Sequence, residues 1–112
     1  MKQDISIIRG TTNSFVIHVE HDDGPFSTSS GQRVVFAVKK NIMDKTPILI
    51  KKLTTFINPG DYWLGIEAWD TVDLLPGKYY YDVCLVSDNN NSLYNIIEPS
   101  EFIIKPSVYE LE

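Results

Sequence analysis

The chain has a single cysteine, Cys84, among its 112 residues. Because a disulfide needs two thiols, no cross-link within the chain can hold its fold together. A chain of this length buries roughly two-thirds of the surface that it exposes when unfolded, so it needs neither a disulfide nor a structural metal. A lone cysteine within a strand is commonly a small core or half-exposed residue, and its reactivity depends on its exposure.

Long apolar runs are also missing from the sequence. No segment has the length of a membrane-spanning helix or of the apolar part of a signal peptide. Residues 1–4 are mostly polar and lead directly into an alternating segment. These absences predict a protein that does not enter a membrane and that is made and folded in a cytoplasm.

Basic residues are outnumbered, with 10 Lys and Arg against 15 Asp and Glu, and the formal net charge is -5. Surfaces that bind phosphate backbones are normally basic, so nucleic acid is not an expected partner. Hydrophobic residues make up 43% of the chain and charged residues 22%, which indicates a globular protein and not a disordered one. At this length the prediction is one domain over residues 1–112.

The dominant pattern is an alternation of apolar and polar residues with a period of two, which is typical of β-strands. It is clearest in the segments 14–20, 34–39, 62–69 and 79–86. Turn-forming residues separate these segments, most clearly at 22–25, 58–61 and 87–92. About seven or eight antiparallel strands without a long helix favour a two-sheet sandwich, and a small closed barrel is the alternative.

Two local patterns interrupt the strands. Asp70 is followed three residues later by Asp73, which is the spacing of a helix N-cap, and the Pro-Gly pair at 76–77 limits this helix to a single turn. Pro99 separates the last strand segments, 93–97 and 101–105, and a proline at such a place predicts a sheet edge or a bulge.

The segment from Leu74 to Tyr81 predicts a corner between the two sheets. In Greek-key sandwiches a tyrosine hydroxyl commonly binds the backbone where the chain crosses from one sheet to the other. The face with Tyr79, Tyr81, Val83 and Leu85 is the more apolar one and is predicted to point inward. The pattern leaves both Tyr79 and Tyr81 open as the corner residue.

Four segments within residues 5 to 105 carry a likeness to a known family. The segments are 8–15 (IRGTTNSF), 23–26 (DGPF) with 30–39 (SGQRVVFAVK), 50–52 (IKK) with 60–70, and 70–71 (DT) with 75–83 (LPGKYYYDV). In this order and spacing they resemble the immunoglobulin-like domain at the N-terminus of the baseplate upper protein of phages of Gram-positive bacteria. Small prophage tail-region proteins carry the same domain.

The resemblance implies an all-β protein, an immunoglobulin-like antiparallel sandwich of about seven or eight strands with Greek-key connections. It implies a non-catalytic structural module of a phage tail or baseplate, with no cofactor and no metal. Its partners would be other tail or baseplate proteins or further copies of itself in a homo-oligomer. The protein would be located in the virion, which assembles in the cytoplasm of the bacterial host.

Two groups of polar residues are candidate chemical sites. A metal could be held near the turn at 18–23, although a solvated turn explains the same residues: His18, Glu20, His21, Asp22 and Asp23. Glu67, Asp70 and Asp73 could serve as paired carboxylates, but no Ser-His or Cys-His arrangement accompanies them and helix capping explains Asp70. The prediction is a protein that is not an enzyme and binds no metal.

The predicted interface consists of Trp63, Glu67 and Trp69. If Tyr62, Leu64 and Ile66 point inward, the alternation turns Trp63 and Trp69 outward, with Gly65 and Glu67 between them. Exposed tryptophans are typical of protein contacts and of platforms on which sugars stack. The alternatives are therefore a protein interface, a carbohydrate-binding or adhesin-type sandwich that uses Trp63 and Trp69, and a surface that loops or a neighbouring strand cover.

Overall fold

The structure, a computed structural model, describes residues 3–21, 24–25, 32–54, 56–58, 60–87 and 92–108. Ten strands and one short helix follow one another along these residues. They are β1 (Ile5–Ile8), β2 (Asn13–His18), β3 (Glu20–His21), β4 (Gly24–Pro25), β5 (Gln32–Lys39), β6 (Leu49–Leu53), β7 (Phe56–Asn58), β8 (Asp61–Ile66), α1 (Ala68–Thr71), β9 (Gly77–Ser87) and β10 (Ser92–Lys105). In the described part of the chain, no helix is long and apolar enough to span a bilayer.

The strands form two main sheets. Five strands lie side by side in the order β1-β10-β9-β5-β6, and three lie in the order β2-β8-β7. The short strands β3 and β4 pair separately with each other. Among the described strands, neighbours run antiparallel except for β1, which pairs with β10 in parallel.

This strand order is that of a variable-type immunoglobulin sandwich, in which the C, F and G strands share a sheet with C′ and face a sheet that contains B, E and D. Strands β5, β9 and β10 correspond to C, F and G, and β6 corresponds to C′. Strands β2, β8 and β7 correspond to B, E and D. The predicted all-β, immunoglobulin-like sandwich is therefore confirmed, and the two sheets stay separate instead of closing into a barrel.

The core lies between the two sheets, where alternate residues of each strand are buried. Val34, Phe36 and Val38 of β5 face this core, and none of them is exposed. On β8 the alternate residues Tyr62, Leu64 and Ile66 are at most 1% exposed. The ring of Phe36 packs 5.2 Å from that of Tyr81 and 6.0 Å from that of Phe102, centroid to centroid. The period of two in the sequence thus predicted correctly which faces are buried.

The helical turn begins three residues earlier than the sequence predicted. Strand β8 ends at Ile66, Glu67 is the N-cap residue, and Asp70 is the third residue of the helix. The backbone N–H of Glu67 donates to the Asp70 carboxylate at 2.8 Å. The prediction that Asp70 is the N-cap is wrong because the pair Glu67 and Asp70 has the same three-residue spacing and lies directly at the end of the strand. The predicted continuation of the strand through Trp69 is wrong for the same reason.

The helix α1 is bound to the corner between β1 and β2. The backbone N–H of Gly10 donates to the Thr71 hydroxyl at 2.8 Å, and the Arg9 guanidinium donates to the Val72 carbonyl at 2.6 Å. Thr71 is fully buried, so its hydroxyl needs a partner within the protein. Gly10 has a φ of 71°, a conformation that glycine adopts without strain. The Arg-Gly pair therefore serves to attach this corner to the crossing between the sheets.

Tyr79 is the tyrosine of the corner. Its hydroxyl donates to the Leu75 carbonyl at 2.7 Å, across the crossing that leads into β9. The hydroxyl of Tyr81 instead donates to the Gln3 carbonyl and so fixes the backbone that precedes β1. Burial raises the pKa of Tyr81 to about 12, since the ionised phenol would lose its hydration.

The last strand is continuous through Pro99, where the sequence predicted two segments. The pairing of β10 with β9 shifts register between Asn95 and Ile97 and again between Ile97 and Ser100. Strand β1 pairs only with residues from Phe102 to Lys105, so the stretch of β10 that contains Pro99 lies at an edge of the described sheet. This arrangement confirms the predicted edge and bulge at Pro99, because a proline cannot donate a ladder hydrogen bond.

Replacing Tyr79 with phenylalanine tests the corner. The change removes the hydroxyl and keeps the ring, over which the Lys40 ammonium lies 4.5 Å from the centroid. We expect the free energy of unfolding in urea to fall by about 1 kcal/mol, the usual contribution of one hydrogen bond. The control is Tyr80→Phe on the opposite, half-buried face of β9, for which we expect a change below about 0.5 kcal/mol. Equal losses in both variants would contradict the role of Tyr79.

Candidate functional site: the Trp63 cleft

Trp63 lies on the outer face of β8 and folds over its own strand. Its side chain is 41% exposed, and its six-membered ring covers Gly65, two residues further along. A Cβ atom at residue 65 would lie 2.3 Å from Cη2 of Trp63, which is far inside van der Waals contact. Gly65 is therefore the residue that lets the indole lie flat against the sheet, and the ring is held in place while its other side meets solvent.

A shallow cleft of about 200 Å³ opens beside this indole, and we call it the Trp63 cleft. It forms because β7 pairs with β8 only near Asp61 and Tyr62, so the rest of β8 lies next to the edge strand β6. The lining comes from these two regions: Lys51, Lys52, Leu53 and Thr54 on one side, and Trp63, Gly65 and Glu67 on the other. The cleft thus combines an aromatic surface with cationic, anionic and hydroxyl groups.

Lys51 and Asp70 hold one end of the cleft in place. The Lys51 ammonium lies 2.8 Å from the Asp70 carboxylate, whose side chain is 8% exposed. The same carboxylate accepts the hydrogen bond from the Glu67 N–H, so Asp70 joins β6 to the start of α1. Asp70 therefore has a structural role, and Asp73 is exposed beyond the helix. Lys52 of β6 and Thr54, which follows β6, are both exposed and are the polar groups on this side of the cleft.

The structure brings two of the three predicted interface residues together. Trp63 and Glu67 both line the cleft, whereas Trp69 lies on α1 and does not line it. Trp69 is 71% exposed, which makes it the more accessible of the two tryptophans. Sequence reasoning missed the contribution of β6, but an isolated glycine within a strand was a usable signal, because it often marks a close approach of another group.

The residues around the first predicted ligand cluster have other contacts. His18 Nδ1 lies 2.5 Å from Oδ1 of Asp61, its cross-strand neighbour on β8. Asp22 and Asp23 lie outside the described residues, as do the side chains of Glu20 and His21. Among the described residues no group of three or more His, Cys, Asp or Glu side chains is arranged to hold a metal ion.

Cys84 points to the outer face of β9 and is nevertheless only 8% exposed. The amide of Asn95 donates to its sulfur at 3.3 Å. Burial raises the pKa of the thiol, since a thiolate would be poorly hydrated there, and the nearby Asp82 acts in the same direction. A buried thiol with a raised pKa is a poor nucleophile at neutral pH, so this cysteine has the properties of a packing residue.

Comparisons with known proteins give no family for this chain. No family model matches it, and no curated protein matches it. Among solved structures it is similar to the natural killer cell receptor NKp44, described as a triggering partner in natural cytotoxicity, with 12% identity and a TM-score of 0.41 over 96% of this chain and 99% of the receptor chain. The fold assignment rests on the strand order and the tyrosine corner described above.

Replacing Gly65 with alanine tests how the indole is held. We expect a loss of about 1 to 3 kcal/mol in the free energy of unfolding, because the new methyl group must displace the ring. We also expect a change in tryptophan emission. The spectrum is recorded in a Trp69→Phe background, because the chain has two tryptophans and Trp63 is then the one that remains.

The matched control for this experiment is the same alanine in a chain that lacks the ring. In a Trp63→Ala background, Gly65→Ala should cost much less, and the difference between the two backgrounds gives the coupling energy of the pair. A cost that is unchanged when the ring is absent would show that Gly65 serves some other purpose.

Proposed function

We propose that this chain is a non-catalytic module of a phage tail or baseplate, which binds other structural proteins of the virion or copies of itself. The proposal is supported by the four sequence segments that resemble the phage baseplate domain. The single structural observation behind it is the Trp63 indole, which lies over Gly65 and is partly open to solvent. A rigid exposed aromatic side chain loses little conformational entropy when a partner covers it.

The surface around Trp63 favours a protein partner. Val16, the cross-strand neighbour of Trp63, is 54% exposed, and Trp69 is 71% exposed. Tryptophan is among the residues that contribute most at protein interfaces, where charged residues form the rim. Lys52 and Glu67 stand in such rim positions beside Trp63.

The chemistry of the described side chains supports a role without catalysis. The Asp70 carboxylate is held by Lys51 and by the start of α1, and His18 is paired with Asp61. The contacts of Asp70 and His18 give both side chains a structural role. The thiol of Cys84 is buried and its pKa is raised, so it is not activated for nucleophilic attack.

Binding to the proteins encoded by the neighbouring genes tests the proposal. We expect at least one of them to bind in a surface plasmon resonance assay, and we expect Trp63→Ala to weaken that binding by at least about tenfold. Met43→Ala is the control, because Met43 is 91% exposed on the loop between β5 and β6, away from the cleft. A chain that binds none of these proteins and stays monomeric would contradict the proposed function.

A carbohydrate-binding or adhesin-type sandwich is the second candidate. The specific observation in its favour is that the indole lies beside Lys52, Thr54 and Glu67, polar groups that could bind sugar hydroxyls around a stacked ring. We expect, on this reading, that cell-wall glycans bind on an array and that Trp63→Ala abolishes the signal while Trp69→Ala reduces it less, since only Trp63 lines the cleft. A blank array, or binding that survives Trp63→Ala, would remove this candidate.

A further inference from the structure

The outer face of the five-stranded sheet is a second surface with the composition of an interface. Cross-strand pairing places Val35 opposite Cys84 and Lys52, and Ala37 opposite Asp82 and Ile50. Residues directly opposite each other in antiparallel strands share a face of the sheet. We call the resulting surface the outer face. It extends over four neighbouring strands and includes Leu93 and Glu101 of β10, Asp82 and Val86 of β9, Arg33, Val35, Ala37 and Lys39 of β5, and Ile50 and Lys52 of β6.

The outer face has apolar residues where a solvated sheet would have polar ones. Ile50 is 54% exposed and Leu93 is 68% exposed, at opposite sides of the face. Val35, Ala37 and Val86 lie between them and are partly exposed. Alternation in a half-solvated strand would place polar residues here, so these side chains mark the face as a contact surface.

Charge is distributed unevenly across the outer face. The half formed by β5 and β6 carries Arg33, Lys39 and Lys52. The half formed by β9 and β10 carries Asp82 and Glu101, and the Asp4 carboxylate lies beside them, accepting the Glu101 N–H at 2.9 Å.

One cation offsets part of this acidic half. Lys78 lies 3.1 Å from Glu101, and the interaction raises the pKa of its ammonium group. The half still has an excess of negative charge, because Lys78 is one cation beside the carboxylates of Asp82, Glu101 and Asp4. The outer face is therefore positive on one side, negative on the other and apolar between.

We propose that two copies of this chain associate through their outer faces, related by a twofold axis that runs along the strands. Such an axis places β10 of one copy opposite β6 of the other, so each acidic half meets a basic half. A twofold axis across the strands would place like charges together, which disfavours that arrangement. The aligned packing of two sheets is a common way to bury such faces.

The size of the face predicts a weak dimer. Strand β5 has 8 residues and is therefore about 26 Å long at about 3.3 Å per residue. Four strands at a spacing of about 4.8 Å are roughly 19 Å across, which gives a flat area of roughly 500 Å² per copy. Specific interfaces begin near 600 Å² per partner, and projecting side chains raise the accessible area above the flat value. We therefore expect dimers that form as the protein concentration rises.

This association uses the outer face of the five-stranded sheet, which shares Lys52 of β6 with the Trp63 cleft but does not include Trp63. Sedimentation velocity from about 10 μM to about 1 mM measures it, and the weight-average mass should rise from that of a monomer toward that of a dimer. Trp63→Ala should leave this rise unchanged. That result separates the outer face from the surface proposed to bind tail proteins, so a failure of tail-protein binding and a failure of dimerisation are distinguishable.

A matched pair of substitutions locates the interface. Ile50 and Val16 are equally exposed, at 54%, but Ile50 lies on the outer face and Val16 on the opposite sheet. We expect Ile50→Asp to weaken dimerisation at least about tenfold and Val16→Asp to change it less than about twofold. If Val16→Asp is as disruptive as Ile50→Asp, or if the unmodified chain remains monomeric throughout, the proposal is wrong.

Charge reversal tests the relative orientation of the two copies. The variant Lys39→Glu/Lys52→Glu makes both halves acidic, and Asp82→Lys/Glu101→Lys makes both halves basic. We expect each variant to be monomeric alone and the mixture of the two to form a heterodimer that added salt weakens. Thermal unfolding of each variant shows that the fold is retained. A mixture that stays monomeric would overturn the proposed orientation.

Discussion

The structure depends on how the chain satisfies its backbone polar groups where it leaves the three-stranded sheet after Ile66. The Asp70 carboxylate accepts the Glu67 N–H and the Lys51 ammonium, and thereby joins the start of α1 to the edge strand of the other sheet. The buried Thr71 hydroxyl accepts the N–H of Gly10 from the opposite direction. An unsatisfied buried polar group costs about 1 to 3 kcal/mol, so this short helix cannot shift without several such losses. The same contacts fix the end of β8 and with it the Trp63 cleft.

Much of the fold follows from the sequence because burial in a sandwich has a period of two. The inward residues of β5 and β8 could be assigned from alternation alone, and the tyrosine corner from its Leu-Pro-Gly-x-Tyr pattern. The choice between Tyr79 and Tyr81 could not be made, since both point inward and the distance from each hydroxyl to a carbonyl depends on the path of the crossing. The capping residue was misplaced for a related reason: Glu67 and Asp73 both lie three residues from Asp70.

The candidate site was only partly predictable. Alternation predicts that Trp63 points outward, and the structure agrees. Alternation does not show that the ring folds over Gly65 or that Lys52 of β6 and the adjacent Thr54 line the cleft. Strand β6 belongs to the other sheet, so its proximity to Trp63 depends on how the two sheets stack. Trp69 was placed on the strand because alternation contains no information on where a strand gives way to a helical turn.

Pro99 and the two register shifts around it also hinder the pairing of other chains with the exposed border of β10. The exposed border of β10 would otherwise offer a row of free N–H and carbonyl groups, which could template the addition of foreign strands. A residue without an N–H, set in an irregular stretch, interrupts that row. This border of the sheet is thereby protected against the edge-to-edge growth that leads to fibrils.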